Sequence, residues 1–199
     1  MKTVVLKIWV KNLKKKQVIR RELLKKRNSL TVEQWQIYSK LIEEKLYSLK
    51  DYQEAEVLLL YASYQKEVFT YGIMENALNS GKCVLCPKVL SSNNMEFYKI
   101  TSCKDIIHGF KNIPEPQNLE NPYIKGEFSK ELMIMPMVGF DSHKNRLGYG
   151  GGFYDHYLEK YPDFKRIGLA FECQDSKEEI PTENTDIMPH YIITEERIF

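Results

Sequence analysis

No apolar run in the 199 residues approaches the ~20 that a helical membrane span requires, so no membrane partner is expected. Charge of one sign is also missing. Lys and Arg total 29 against 27 for Asp and Glu, a net charge of +2, which points neither to disorder nor to a general nucleic-acid binder. No repeat of solenoid length and no low-complexity segment is present. Cysteine is sparse: Cys83, Cys86, Cys103 and Cys173. Cys83-x-x-Cys86 has zinc-knuckle spacing, but no second such pair accompanies it. It also lies in an apolar segment that reads as a strand, where residues three apart face opposite sides. The four therefore read as structural thiols without disulfides, which suits a reducing cytoplasm. No serine or cysteine has an evident base beside it, and neither His143 nor His156 has an acid at catalytic spacing.

Glycine is concentrated rather than abundant. Arg146-Leu147-Gly148-Tyr149-Gly150-Gly151-Gly152-Phe153-Tyr154-Asp155 holds four glycines within five positions. Without a Cβ, such a run can curl its N–H groups around an anion, phosphate above all. Phe153, Tyr154, Tyr157 and Leu158 then recur at helical spacing, so a helix begins there and adds its N-terminal dipole. Arg146 supplies a forked donor and Asp155 a hard oxygen of the kind Mg²⁺ takes. The rival reading of the glycines alone is a flexible strand-to-helix turn. The run is not a P-loop, because no Lys-Ser/Thr follows its last glycine; nor is it G-x-G-x-x-G, because Phe153 fills the sixth position.

The rest of the chain reads as alternating helices and strands. Residues 14–28 form a basic helix with a narrow stripe at Val18, Ile19 and Leu23, and Lys16 and Arg20 share one face. A solvated charged surface is the plain alternative for that helix, and Lys15 and Arg21 are rival registers. Thr31-Val32-Glu33-Gln34 is a capping box opening a second helix, with Leu30 and Trp35 as a hydrophobic staple. Residues 56–62 are apolar after the first acid, the habit of a strand buried on both faces, and they exit towards Glu67. Thr70 is placed to cap a helix that Gly81 stops, and Ser102 to cap a short turn through residue 108. Strands follow at 82–86, 95–100, 132–138, 166–171 and 191–194, while 113–116 is too rich in proline for a helix or central strand. The prediction is an N-terminal extension over residues 1–13 and one domain over 14–199. That domain is α/β, a three-layer sandwich on a mostly parallel, Rossmann-like sheet.

The decapeptide closely resembles the RLGxGxGYYD signature of the 5-formyltetrahydrofolate cyclo-ligases, also called methenyltetrahydrofolate synthetases. Phe153 stands where that family usually has its first tyrosine. Lys16-x-x-x-Arg20 resembles the family's opening helix, and residues 186–195 resemble its closing motif, with Thr185 where a histidine is common. The resemblance implies a small-molecule enzyme. It would use ATP and Mg²⁺ to convert 5-formyltetrahydrofolate to 5,10-methenyltetrahydrofolate by phosphorylating the formyl oxygen. On this footing ATP is held by Lys16, Arg20 and the segment Arg146, Leu147, Gly148, Tyr149, Gly150, Gly151, Gly152, Phe153 and Tyr154, with Arg146 and Tyr154 at the reacting groups. The folate meets Ala62, Glu67, Tyr149, Gly150, Gly151, Gly152 and Phe153, and Asp155 and Asp186 hold the metal. The implied protein is cytoplasmic, a monomer or weak dimer, with no nucleic-acid partner. The alternative is a non-catalytic nucleotide- or folate-binding protein of the same fold.

Overall fold

The computed structural model describes residues 2–92, 94–109, 112–120, 122–126 and 128–199, with side chains from Val10 onward. Five helices occur among the described residues: α1 (Lys2–Asn28), α2 (Val32–Ser48), α3 (Lys50–Glu54), α4 (Tyr71–Asn79) and α5 (Phe153–Lys160). The strands are β1 (Val57–Leu60), β2 (Cys83–Ser91), β3 (Asn94–Ile100), β4 (Ile106–His108), β5 (Pro114–Pro116), β6 (Glu131–Pro136), β7 (Gly139–Phe140), β8 (Arg146–Leu147), β9 (Lys165–Leu169) and β10 (Tyr191–Ile193).

Six strands make the central sheet in the order β10-β9-β6-β1-β2-β3. All neighbours are parallel except β3, which runs antiparallel to β2 at one edge. β1 shows why the sheet is buried on both sides. Leu58 and Leu60 pack into a cluster with Ile42 and Leu46 of α2 and Ile73 and Met74 of α4. Val57 and Leu59 point the other way, to Tyr154, Tyr157 and Leu158 of α5. This is the period-two alternation of a strand between two helical layers. Each such side chain, fully withdrawn from water, contributes about 1.5–3 kcal/mol. Cys83 and Cys86 fall on opposite sides by the same rule, one against each cluster.

The chain departs from β1 first to one side, through α4 to β2 and β3, and later to the other, through β6, β9 and β10. The order therefore reverses between β1 and β6. The carboxyl ends of strands flanking such a reversal open a crevice where α/β sheets bind ligands. Beyond β1 lies the Ser63–Glu67 segment, and beyond β6 the β7–β8 hairpin delivers the glycine run to α5. No helix among the described residues is long and apolar enough to cross a membrane.

Three local expectations change. The helix expected from residue 14 begins at Lys2, so part of the 1–13 segment continues α1. Thr70 stands at the head of α4 but makes no side-chain cap; its hydroxyl donates to the Tyr61 carbonyl (2.7 Å) and accepts from the Ser63 N–H (2.9 Å). It closes the loop after β1 instead, because the Ser63 N–H, a long-range donor, takes the hydroxyl oxygen that would otherwise accept a helix N–H. Ser102 does cap a turn, Cys103–Asp105, but residues 106–108 then form β4 and pair antiparallel with the proline-bearing β5 in a separate two-stranded ribbon. Two prolines are tolerated there because such a ribbon demands fewer ladder N–H groups.

Candidate active site

The turn between β7 and β8 is held by Asp141, which is 1% exposed. Its Oδ1 accepts the N–H groups of His143 (2.9 Å) and Asn145 (3.0 Å), and its Oδ2 accepts Asn145 Nδ2 (2.9 Å) and the Ile180 N–H (2.8 Å). Four hydrogen bonds to one buried carboxylate tie the hairpin turn together and to the segment at Ile180, directly ahead of Arg146. The glycine run follows. Gly150 has φ +103° and Gly152, the residue before α5, has φ +66°. At Gly151 a Cβ would lie 2.5 Å from the Phe153 ring, so the loop folds back on its own aromatic.

A cavity of about 410 Å³ opens over this loop. α1 contributes Leu13, Lys16 and Arg20 to its wall, the loop contributes residues 146–156, and Glu183, Thr185 and Asp186 close it from the segment before β10. Lys16 is 9% exposed and its ammonium lies 2.6 Å from Asp186 Oδ2 and 3.4 Å from Glu183 Oε1. Arg20 donates through Nε to the Gly148 carbonyl (2.8 Å), which ties α1 to the loop. Of the rival registers, Lys15 instead reaches the Glu179 carbonyl (3.3 Å), and Arg21 is exposed. Arg146 donates through Nη2 to Asp155 Oδ1 at 2.7 Å, and the same oxygen accepts the Ile187 N–H (3.0 Å).

Two groups on the wall have unused bonding capacity. The Tyr154 hydroxyl and Arg146 Nε are buried without a hydrogen-bond partner among the described residues. The Arg146 guanidinium carbon lies 5.9 Å from the Tyr154 ring centroid, so the two are neighbours. Buried polar atoms are rarely left unpaired, and a ligand is one way to satisfy them. Burial, with the Glu67 charge adding to it, pushes the Tyr154 phenol far above its ordinary value, so it stays a neutral donor.

A second, inner group adjoins the cavity. Tyr149 donates through its hydroxyl to Glu67 Oε1 (2.7 Å), and Glu67 Oε2 accepts the Tyr64 N–H (2.8 Å). Burial raises the Glu67 carboxyl above its ordinary value, opposed by the Tyr64 N–H, the Tyr149 hydroxyl and the Arg27 charge. Ala62 is buried at the exit of β1. Glu67 and Ala62 do not line the cavity itself, and Tyr149 links the two regions. Arg27, which donates to the Tyr149 hydroxyl at 2.8 Å, was not anticipated. The signal was present: Lys16, Arg20, Leu23 and Arg27 are spaced four, three and four, one continuous helix face. Glu183, the second acid beside Lys16, was likewise missed inside a segment that reads only as a loop.

The profile of the 5-formyltetrahydrofolate cyclo-ligase family matches residues 12–195. The chain belongs to that family. Among relatives, the 5-formyltetrahydrofolate cyclo-ligase of Haemophilus influenzae is 30% identical over 181 residues, spanning 88% of this chain and 95% of its own. The mouse (Mus musculus) cyclo-ligase is 28% identical over 196 residues, 91% and 94% of the two chains. The solution structure of Aquifex aeolicus 5,10-methenyltetrahydrofolate synthetase superimposes with a TM-score of 0.78 at 26% identity, covering 92% of this chain and 91% of that one. Membership extends from α1 through the glycine run to β10, so every wall of the cavity comes from the matched region.

Proposed function

We propose that this cyclo-ligase family member converts 5-formyltetrahydrofolate and ATP to 5,10-methenyltetrahydrofolate, ADP and phosphate in the cavity over residues 146–155. The observation that carries the reading is the meeting of Lys16, Arg20 and Arg146 with a glycine loop at the head of α5, at the sheet's point of reversal. That is an anion site large enough for a polyphosphate.

In this reading the γ-phosphoryl group passes from ATP to the formyl oxygen, and ADP departs. The formyl carbon becomes iminium-like, N10 attacks it, and the oxygen leaves with phosphate as N10 loses its proton. The protein positions groups and neutralises charge, the usual share in phosphoryl transfer. Lys16 and Arg20 hold phosphate oxygens. The unpartnered Arg146 Nε and the neutral Tyr154 hydroxyl donate where charge develops. Glu67 and Tyr149 receive the polar edge of the pterin, while Phe153 supplies a ring without a hydroxyl.

Mg²⁺ fits this donor set as a companion of the nucleotide. Among the described residues no group of three or more His, Cys, Asp or Glu could cage a metal. Mg²⁺, however, takes one or two carboxylates and completes its shell with phosphate oxygens and water. Among the described residues, Asp155 and Asp186 meet their partners through Oδ1 and Oδ2 respectively, so each has its other oxygen to offer. The ion would neutralise charge on the transferring phosphates.

The deciding experiment mixes purified protein, MgATP and 5-formyltetrahydrofolate and follows the methenyl chromophore in the near ultraviolet together with ADP. Stoichiometric appearance of both is expected. Binding of nucleotide and folate with no turnover would leave only a binding protein of the same fold.

A further inference from the structure

Arg27 is among the largest fully buried side chains, at 1% exposure. A guanidinium stays charged, and a buried charge is costly unless it is paired. Among the described residues its Nε and Nη2 have no hydrogen-bond partner, and its Nη1 bonds a phenol rather than a carboxylate. The direction of that bond is forced. A guanidinium only donates, so the Tyr149 oxygen accepts and its own hydrogen goes to Glu67 Oε1. The sequence Arg27 to Tyr149 to Glu67 thus runs one way, from a buried cation to a buried acid. Glu67 is faced by Arg27 from α1, Tyr61 from the end of β1, Tyr149 from the glycine loop and Tyr154 from α5. Its own segment adds the Tyr64 N–H, and Trp35 of α2 holds its backbone carbonyl (2.7 Å). Arg27 is the one cation in that set.

We propose that Arg27 is a positioning residue for the folate half of the site: through the Tyr149 hydroxyl it holds the Glu67 carboxyl oriented as an acceptor for the N–H edge of the pterin. The inference rests on the reading that Glu67 binds the folate. It explains why this guanidinium bonds a phenol and has no ion pair among the described residues. The phenol carries its influence to buried Glu67 through one hydrogen bond to Oε1, leaving the carboxylate's remaining lone pairs for a ligand N–H, whereas a direct bidentate ion pair would occupy both oxygens.

The test compares Arg27→Met, Arg27→Lys, Tyr149→Phe and Glu67→Gln. It measures KM for 5-formyltetrahydrofolate, KM for ATP and the pH profile of kcat/KM for the folate. A hydrogen bond to a charged group is the interaction removed, so Arg27→Met is expected to raise the folate KM about tenfold or more. It should leave the ATP KM near wild type and move the acid limb of the profile to higher pH, and Arg27→Lys should restore part of that shift. A fall in melting temperature with both KM values rising together and the acid limb unmoved would make Arg27 merely structural and overturn the proposal. Should Arg27→Met not fold, Tyr149→Phe cuts the same link. The acid limb must move in the same direction there, and an unmoved limb refutes the relay. Glu67→Gln separates the two layers. If it leaves the folate KM unchanged, the assignment of Glu67 to the folate is wrong. If it raises that KM while Arg27→Met does not, only the relay fails.

Discussion

Replacing Gly150 with alanine probes whether the loop's backbone conformation is itself the anion site. Gly150 has φ +103°, a conformation that L side chains rarely adopt. The space around it is not the obstacle: a Cβ there would meet Arg20 Nη2 at 3.5 Å, an ordinary contact. The cost is therefore backbone strain, on the order of 1–3 kcal/mol. If the loop escapes by adopting another conformer, the competent one is depopulated by that amount, and the apparent affinity falls by about five- to 150-fold. Gly81 provides the control. It has φ +77° just after α4, nothing lies within 4 Å of its added Cβ, and it is remote from the cavity. Gly81→Ala carries comparable strain, so it should lower the melting temperature without changing the KM for ATP. Gly150→Ala should raise that KM, measured by methenyl formation at saturating folate. If Gly150→Ala kept a wild-type KM for ATP while Gly81→Ala melted early, backbone curvature at Gly150 would be irrelevant to phosphate binding.

Other substitutions test other walls. Lys16→Gln should raise the KM for ATP about tenfold or more, the worth of a charge-assisted hydrogen bond, whereas Lys15→Gln, pointing to the Glu179 carbonyl, should match wild type; steady-state kinetics on both decides the register. Mg²⁺ should tighten binding of a non-hydrolysable ATP analogue, and the analogue should tighten Mg²⁺ by the same factor. Asp155→Asn should shrink that coupling in calorimetric titrations, and an undiminished coupling would remove Asp155 from the metal site. Glu67→Gln tests what burying this carboxyl costs. Burial raises the Glu67 carboxyl above the ordinary 4.5, so the folded state holds this proton more tightly than the unfolded one. Its contribution to stability is then full below 4.5 and is lost as pH rises through the folded value. Glutamine has no proton to lose, so the melting temperature of Glu67→Gln relative to wild type should climb with pH across that window; a flat difference contradicts the assignment.

What could be read from the sequence was what is decided locally. The apolar run at 57–60 announces a strand buried on both faces, and Thr31 with Gln34 forms its capping box as spaced, because the groups concerned are three residues apart. The start of α5 is signalled by glycines followed by a 3.6-residue apolar stripe. Where a partner is distant, the signal fails. Thr70 has the composition of a cap, but the Ser63 N–H, seven residues upstream, takes the hydroxyl oxygen a cap would use, and the hydroxyl donates to the Tyr61 carbonyl. Residues 106–108 have no strand pattern of their own and become one only by meeting 114–116. Lys16 and Asp186 are 170 positions apart, so their pairing needs the fold. Arg27 is a different failure. Its position on the Lys16–Arg20 face is written in the spacing, but the surrounding basic residues hide it, because a run of lysines looks the same whether one member is buried or none is.

The two ion pairs on the cavity wall bear on which ligand can enter. Lys16 is ion-paired with Asp186, and Arg146 with Asp155 through Nη2. A bare polyphosphate could claim Lys16 only by leaving Asp186 beside both Glu183 and the new anion, so the Coulomb gain at one contact is offset at the next. A bare divalent cation would meet the mirror problem: at the other oxygens of Asp155 and Asp186 it would sit close to the Arg146 and Lys16 charges, which oppose it. A phosphate chain carrying its own cation would resolve both at once: the metal would meet the carboxylates and the phosphates would meet Lys16 and the loop. A wall of this kind would favour a ligand of both signs over a bare anion or a bare cation, because such a ligand would exchange partners without leaving a charge stranded in the partly buried site.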